Sequence, residues 1–157
     1  MQKILFYRAN EVPYGIFGNF DTKHPITLKG KVWPSTEHYF QAQKFAGTEY
    51  EEKVRLTEKP RDAAAMGRDR LLPLRKDWEQ VKDDVMREAV RAKFTQYKDL
   101  RNILVETYDD ELIEHTTNDN YWADGGDGSG KNMLGKILME IRKELTIPSP
   151  LRDSIFV

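Results

Sequence analysis

The sequence predicts an α+β fold: one helix-rich single domain with a small sheet, spanning residues 1–157. Three observations predict it. Apolar residues recur at helical spacing in about five stretches and at strand spacing in only a few short ones. Strands and helices do not alternate in the βαβ manner that builds a doubly wound parallel sheet. A chain of 157 residues with no Ser/Gly linker and no internal repeat has the size of one domain. At that length folding buries roughly 68 to 70% of the unfolded surface, so the core needs no disulfide or structural metal. The core is read as residues 3–146, with 147–157 as a C-terminal surface strap.

Each element has a local reason. Ile4 to Tyr7 is an apolar run too short for a helix, closed by polar residues and Pro13, and reads as a buried strand. Ile26, Leu28, Val32 and Trp33 flank Lys29-Gly30-Lys31, where glycine supplies the positive φ of a tight hairpin. Ser35 is a good N-cap after Pro34, and no Gly or Pro follows until Gly47, so Ser35 to Ala46 is a helix. A shorter helix has Pro60 in its first turn and is stopped by Gly67. Asp77 and Gln80 make a capping-box start, after which Trp78, Val81, Val85, Ala89, Ala92 and Phe94 mark the longest helix. Leu100, Ile103 and Leu104 give two further turns, and Leu112-Ile113 a short strand. Residues 116–131 are too rich in Asn, Asp and Gly for regular structure and too long for a plain connector. Met133, Leu134, Ile137, Leu138, Ile141 and Leu145 mark the last helix, capped by Asn132 and ended before Pro148.

Composition excludes several function classes. With no cysteine there is no disulfide framework, thiolate nucleophile, zinc finger or iron–sulfur cluster. No apolar run is long enough to cross a bilayer, and Met1 to Tyr7 lacks the features of a signal peptide. The chain therefore reads as cytoplasmic, without a membrane partner. The 25 Lys+Arg against 26 Asp+Glu leave a formal net charge of −1, so no global basic field favours a polynucleotide. The charge is segregated, however: residues 53–101 hold 14 Lys/Arg against 9 Asp/Glu, and residues 102–130 hold none against 8. His24, His38 and His115 are scattered and form no HExxH pattern, so a metal site is not expected.

Two constellations carry chemistry. At 100° per residue Glu37, Gln41 and Lys44 lie on one line of the first helix, with Trp33, Tyr39 and Phe40 nearby. A first-turn carboxylate is held charged by the helix dipole, which suits it to facing a cation and equally to starting a helix. Lys44 is a candidate Schiff-base nucleophile, phosphate contact or ion-pair partner of Glu37. The second constellation runs from Asn118 to Asn132, where Trp122 and Asp124 offer a flat apolar surface and a carboxylate. Its glycines admit close backbone approach, and the next helix is expected to present free N–H groups to an anion. Gly125 to Asn132 nearly spells a nucleotide-phosphate loop but lacks the final hydroxyl residue and the preceding apolar strand, which rejects an ATPase. Arg68 and Arg70 form a possible phosphate clamp after Gly67, or pair with the acidic segment.

Taken together, Phe17-Gly-Asn-Phe20, Trp33-Pro-Ser-Thr-Glu-His-Tyr-Phe-Gln-Ala-Gln-Lys-Phe45, Ala64-Ala-Met-Gly-Arg-Asp-Arg70, Leu74-Arg-Lys-Asp-Trp78, Tyr121-Trp-Ala-Asp-Gly-Gly126 and Gly128-Ser-Gly-Lys-Asn-Met-Leu-Gly135 resemble the NADAR family over nearly the whole chain. The resemblance implies an N-glycosidase that hydrolyses ribosylamino-pyrimidine 5′-phosphates of the riboflavin pathway to ribose 5-phosphate and free base, with no cofactor. The alternatives it carries are removal of ADP-ribose from guanine in nucleic acid, and a non-catalytic module that binds NAD or ADP-ribose. By the same resemblance Glu37, Asp124 and Lys44 are the expected catalytic residues, with one carboxylate activating water and the other facing the oxocarbenium ion. Trp122 and Tyr39 are expected to hold the base, and Asn19, Trp33 and Gln41 to line the site. Gly125, Gly126, Gly130, Lys131 and Asn132, with Arg68 and Arg70, are expected to hold the phosphate.

Overall fold

In the computed structural model, which describes residues 1–147, the fold is mixed α+β with small sheets. The expected strap over 148–157 lies outside the described residues. Contacts group the chain into two compact units, Arg8–Lys93 and Met1–Tyr7 with the chain from Phe94 onward.

The Arg8–Lys93 unit opens with a 3-10 turn (Tyr14–Phe17) that the sequence did not suggest. β2 (Ile26–Leu28) and β3 (Lys31–Trp33) follow as the expected antiparallel hairpin, with Ile26 opposite Trp33 and Leu28 opposite Lys31. Its two turn residues, Lys29 and Gly30, both have positive φ, 56° and 71°, the handedness that matches strand twist. α1 (Thr36–Gln43) begins at Ser35, whose hydroxyl accepts the amide of His38 at 3.1 Å. α2 (Glu49–Arg55) was not expected: six of its seven residues are polar or charged and only Val54 is buried. Its start is fixed by Thr48, whose side chain accepts the Tyr50 amide, and it packs on α1 and α3. α3 (Pro60–Arg68) and α4 (Trp78–Gln96) match the expected helices. Ile26, Trp33, Tyr39, Ala42, Phe45, Val54, Ala63, Ala89 and Ala92 form the core of the unit.

In the other unit β1 (Lys3–Phe6) pairs in parallel with β4 (Glu111–Glu114), Ile4 opposite Leu112 and Phe6 opposite Glu114. α5 (Lys98–Val105) packs on α6 (Met133–Thr146), which also packs on β4. Leu134, Ile137, Leu138 and Ile141 are fully buried along one stripe of α6, the amphipathic face the sequence announces. Asn132 departs from expectation. It adopts a left-handed backbone, φ 53°, and its side chain does not cap α6. Instead its carboxamide bridges β4, donating to Leu112 O at 2.9 Å and accepting from Glu114 N at 3.0 Å. No helix among the described residues is long and apolar enough to cross a membrane.

Candidate active site

The polar line of α1 is real and it is buried. Glu37, Gln41 and Lys44 are each 8% exposed, while Tyr39 and Ala42 point into the core. The first turn is locked by tertiary contacts as well as by Ser35. The Glu37 amide donates to Asn19 O at 3.2 Å, and the Thr36 hydroxyl donates to Asn19 Oδ1 at 2.8 Å. Asn19 thus satisfies donors that a helix start leaves open, which places the Glu37 backbone. The Gln41 Nε2 donates to Glu37 Oε1 at 2.8 Å, so the carboxylate is oriented from one turn below.

Lys44 lies at the C-terminal end of α1 with its Nζ donating to Gly67 O at 3.2 Å. The rings of Trp78 and Phe40 stand 5.7 and 5.9 Å from the amine. Burial, with Arg70 and Arg68 adding repulsion against the attraction of Glu37, lowers its pKa from 10.5 to about 8. At that pKa roughly a tenth of the amine is neutral at pH 7, far more than for an ordinary lysine, and the neutral form is the one a nucleophilic or proton-transferring amine requires. Arg70 Nη1 donates to the same Gly67 carbonyl at 2.8 Å, and Arg68 and Arg70 remain exposed. A cationic rim therefore adjoins a buried carboxylate–carboxamide–amine row within the Arg8–Lys93 unit.

The same unit buries a second amine. Lys93 Nζ meets Asp21 Oδ2 at 3.2 Å and donates to Gly18 O at 3.2 Å. Asp21 also takes the His24 ring at 2.7 Å and the Lys23 amide at 3.0 Å. Lys93 thereby anchors the Phe17 to Asp21 loop that presents Asn19 to α1. The available signal is a lysine on the buried stripe of α4, which a pattern of apolar residues alone does not include. His38 is structural: its Nε2 faces Thr57 O at 3.0 Å and its Nδ1 the Ser35 hydroxyl at 2.7 Å, and burial lowers its pKa.

The loop before α6 is organised around Asp124. Its Oδ1 accepts the amides of Gly126 at 2.8 Å and Thr116 at 3.2 Å, and its Oδ2 takes His115 Nδ1 at 2.7 Å. Burial pushes its pKa up, but His115 and the two amides outweigh that and the net shift is downward. Tyr121 and Trp122 are half-buried and meet edge to face at 4.9 Å. Lys131 Nζ stands 5.3 Å from the Tyr121 ring.

The chain as a whole has counterparts among known proteins. The NADAR domain model matches residues 5–146. The chain belongs to the NADAR family. It is 54% identical over 144 residues to N-glycosidase YbiA of Escherichia coli, covering 92% of this chain and 89% of that one. The NMR structure of E. coli YbiA matches with a TM-score of 0.85 at 50% identity, covering 100% of this chain and 90% of that one. A riboflavin biosynthesis protein of Vibrio vulnificus is 44% identical over 151 residues, which span 95% of this chain and 40% of that longer protein. This NADAR chain is accordingly an enzyme of the N-glycosidase class.

Within the NADAR motifs the structure redistributes some expected roles. Trp33 and Tyr39 do not line a ligand site: they are 0% and 2% exposed and meet edge to face at 5.0 Å. The Trp33 indole N–H is spent on Leu28 O and the Tyr39 hydroxyl on Glu88. Strand alternation puts Trp33 on the covered face of the hairpin, and Tyr39 lies opposite the polar line. The amides opening α6 are not free for an anion either. Gly130, Lys131, Asn132, Met133 and Leu134 donate to the carbonyls of Asp124, Asn120, Ala123, Tyr121 and Trp122, at 2.8 to 3.0 Å. Gly125 N donates to Asp119 O at 3.0 Å, so the loop consumes the donors that the glycine-rich motif suggested for a phosphate.

Proposed function

We propose that the chain hydrolyses the C1′–N bond of ribosylamino-pyrimidine 5′-phosphates of the riboflavin pathway, with Glu37 and Lys44 at the reacting carbon. The observation that carries this reading is the row on α1: a buried carboxylate held by Gln41, beside an amine whose pKa is about 8 and next to two arginines. The riboflavin biosynthesis name of the Vibrio relative supports the substrate class.

As the bond to nitrogen breaks, positive charge grows on C1′ and the ring oxygen. A carboxylate fixed in a site largely closed to water stabilises that charge more than bulk solvent does. Water then adds its hydroxyl to C1′, and its proton goes to the departing amine, giving ribose 5-phosphate and free base. Lys44 supplies a second route to the same products: its neutral amine attacks C1′ and the base departs with a proton from that amine, the ring C1′–O bond of the resulting glycosylamine then opens to an iminium as the ring oxygen takes up a proton, and water hydrolyses the iminium to ribose 5-phosphate and the free amine. Arg68 and Arg70 are the phosphate partners, since guanidinium forks match phosphate oxygens. Proton transfer and charge stabilisation by side chains require no metal in this scheme.

Release of ribose 5-phosphate by wild type and its loss in Glu37→Gln tests the reading. Borohydride separates the two routes, because only an iminium on Lys44 is trapped as an adduct that Lys44→Ala lacks. No release from wild type overturns the substrate assignment and moves the test to ADP-ribosylated guanine, and then to binding of NAD or ADP-ribose without turnover.

A further inference from the structure

Gly67 reads in the sequence as a helix stop, yet α3 continues through it to Arg68 with Gly67 in the last turn and buried. Its conformation is not left-handed, so its backbone does not demand glycine. Space does. A Cβ on Gly67 would lie 1.8 Å from Gln41 Oε1, 2.7 Å from Gln41 Cδ and 3.3 Å from Lys44 Nζ. The first two are closer than real Cβ contacts come, so the end of the flexible Gln41 side chain must move, and the third requires the amine to give way. The carboxamide of Gln41 therefore occupies the place of the missing side chain. Its Oε1 is buried there with no N–H or O–H donor, while its Nε2 is committed to Glu37. The carbonyl of the same residue receives both Lys44 Nζ and Arg70 Nη1.

From this geometry we propose that Gly67 is a positioning residue for the reaction. Its bare Cα seats Gln41 so that Gln41 orients the Glu37 carboxylate, and its carbonyl sets the Lys44 amine beside the same row. The inference rests on the reading that Glu37 and Lys44 work on the N-glycosidic bond. A buried acceptor without a conventional partner is costly, and Gln41 has other rotamers. What keeps it in this one is the hydrogen bond to Glu37 and the lack of any competing atom on Gly67. The Cα–H of glycine facing Oε1 supplies only a weak compensating contact.

The test is a cycle of Gly67→Ala, Gln41→Ala and the double variant, assayed for ribose 5-phosphate release from the ribosylamino-pyrimidine 5′-phosphate. Gly67→Ala is expected to lower kcat about 100-fold, the scale of a misplacement near 1 Å, with little change in KM. Gln41→Ala loses about tenfold, as expected for one orienting hydrogen bond. The double variant is expected to match Gln41→Ala, because the new methyl then fills vacated space, so a second substitution restores activity lost in the first. A merely structural role would make the two losses multiply. Multiplied losses, or a Gly67→Ala enzyme within about threefold of wild type in kcat, overturn the proposal. If Gly67→Ala does not fold, the comparison of Gln41→Ala with the double variant decides.

A second measurement needs no substrate. The side-chain amide protons of Gln41, assigned by their disappearance in Gln41→Ala, are expected to exchange slowly in wild type and fast in Gly67→Ala. Unchanged slow exchange overturns the proposal even if wild type fails to turn over this substrate, and that failure by itself strikes only the substrate assignment.

Discussion

Helix α1 and the loop before α6 each bury a carboxylate, and they hold it in opposite ways. Asp124 takes two backbone amides and an imidazole from its own neighbourhood, and the amides around it close onto loop carbonyls. Glu37 is steered by a carboxamide whose own oxygen lacks a conventional donor, beside an amine displaced to a pKa of about 8. The loop is a finished hydrogen-bond network; the helix face keeps groups under tension. Buried polar groups that are fully satisfied specify structure, whereas those kept short of satisfaction or shifted in pKa mark places where chemistry is done. Glycine and asparagine content drew attention to the loop, but the accounting of donors and acceptors favours the helix.

The sharpest way to break this comparison is to neutralise each carboxylate. Glu37→Gln keeps shape and one acceptor, and is expected to lower kcat by about 10²- to 10⁴-fold while thermal unfolding barely moves. Steady-state release of ribose 5-phosphate and a melting curve on the same preparation check it. Equal kcat losses in Glu37→Gln and Asp124→Asn, with neither destabilised, would erase the distinction drawn between the regions.

The next effect is structural and belongs to the helix unit. Lys93→Met leaves Asp21 buried without its ammonium partner, and breaking such a pair costs about 3–5 kcal/mol. Denaturant titration reads the loss directly. Because Lys93 holds Gly18 O and, through that loop, Asn19 and the first turn of α1, kcat is expected to fall as well.

How far these regions were legible follows from where each signal lives. The hairpin and α1 were readable because Lys29-Gly30 acts through its own backbone and the Ser35 hydroxyl caps an amide three residues on. The row of Glu37, Gln41 and Lys44 was readable because spacing along one helix is a local property. α2 was not, since a seven-residue charged segment has little helical periodicity and exists through Thr48 and its contacts with α1 and α3. The roles of Gly67 and of the pair Lys93–Asp21 join residues 26 and 72 positions apart to their partners, Gln41 and Asp21. No window of local sequence contains such information. Trp33 and Tyr39 carry the converse lesson: the family resemblance places them at the site, while strand and helix geometry turn both rings inward.

Loop against helix is sharpened further by Asp124→Ala. Removing the carboxylate strands the amides of Thr116 and Gly126 and the His115 ring, with an expected cost of about 2–3 kcal/mol. The folded pKa of Asp124 lies below its ordinary 3.8, so its contribution is present above that value and is lost as pH falls through the folded pKa. Wild type and variant should therefore draw closer in stability as the pH falls to the folded pKa of Asp124 and below. A gap that stays constant down to that pH would show that the loop does not depend on the charge of Asp124.

The smallest expected effect runs the other way and is the most diagnostic for the helix face. Lys44 is charged in both folded and unfolded chains below pH 8, and the folded state bears the cost of its burial. Between pH 8 and 10.5 the unfolded chain binds a proton that the folded chain does not, so this lysine makes stability rise with pH across that window. Lys44→Met keeps the stem packed against Phe40 and Trp78 and removes the charge, while Arg70 still serves the Gly67 carbonyl. The variant is expected to be more stable than wild type by about 1–2 kcal/mol at pH 7, the advantage vanishing toward pH 10.5. Stability curves across that range decide it: a gap that does not close with pH would mean that the folded pKa of Lys44 is not lowered.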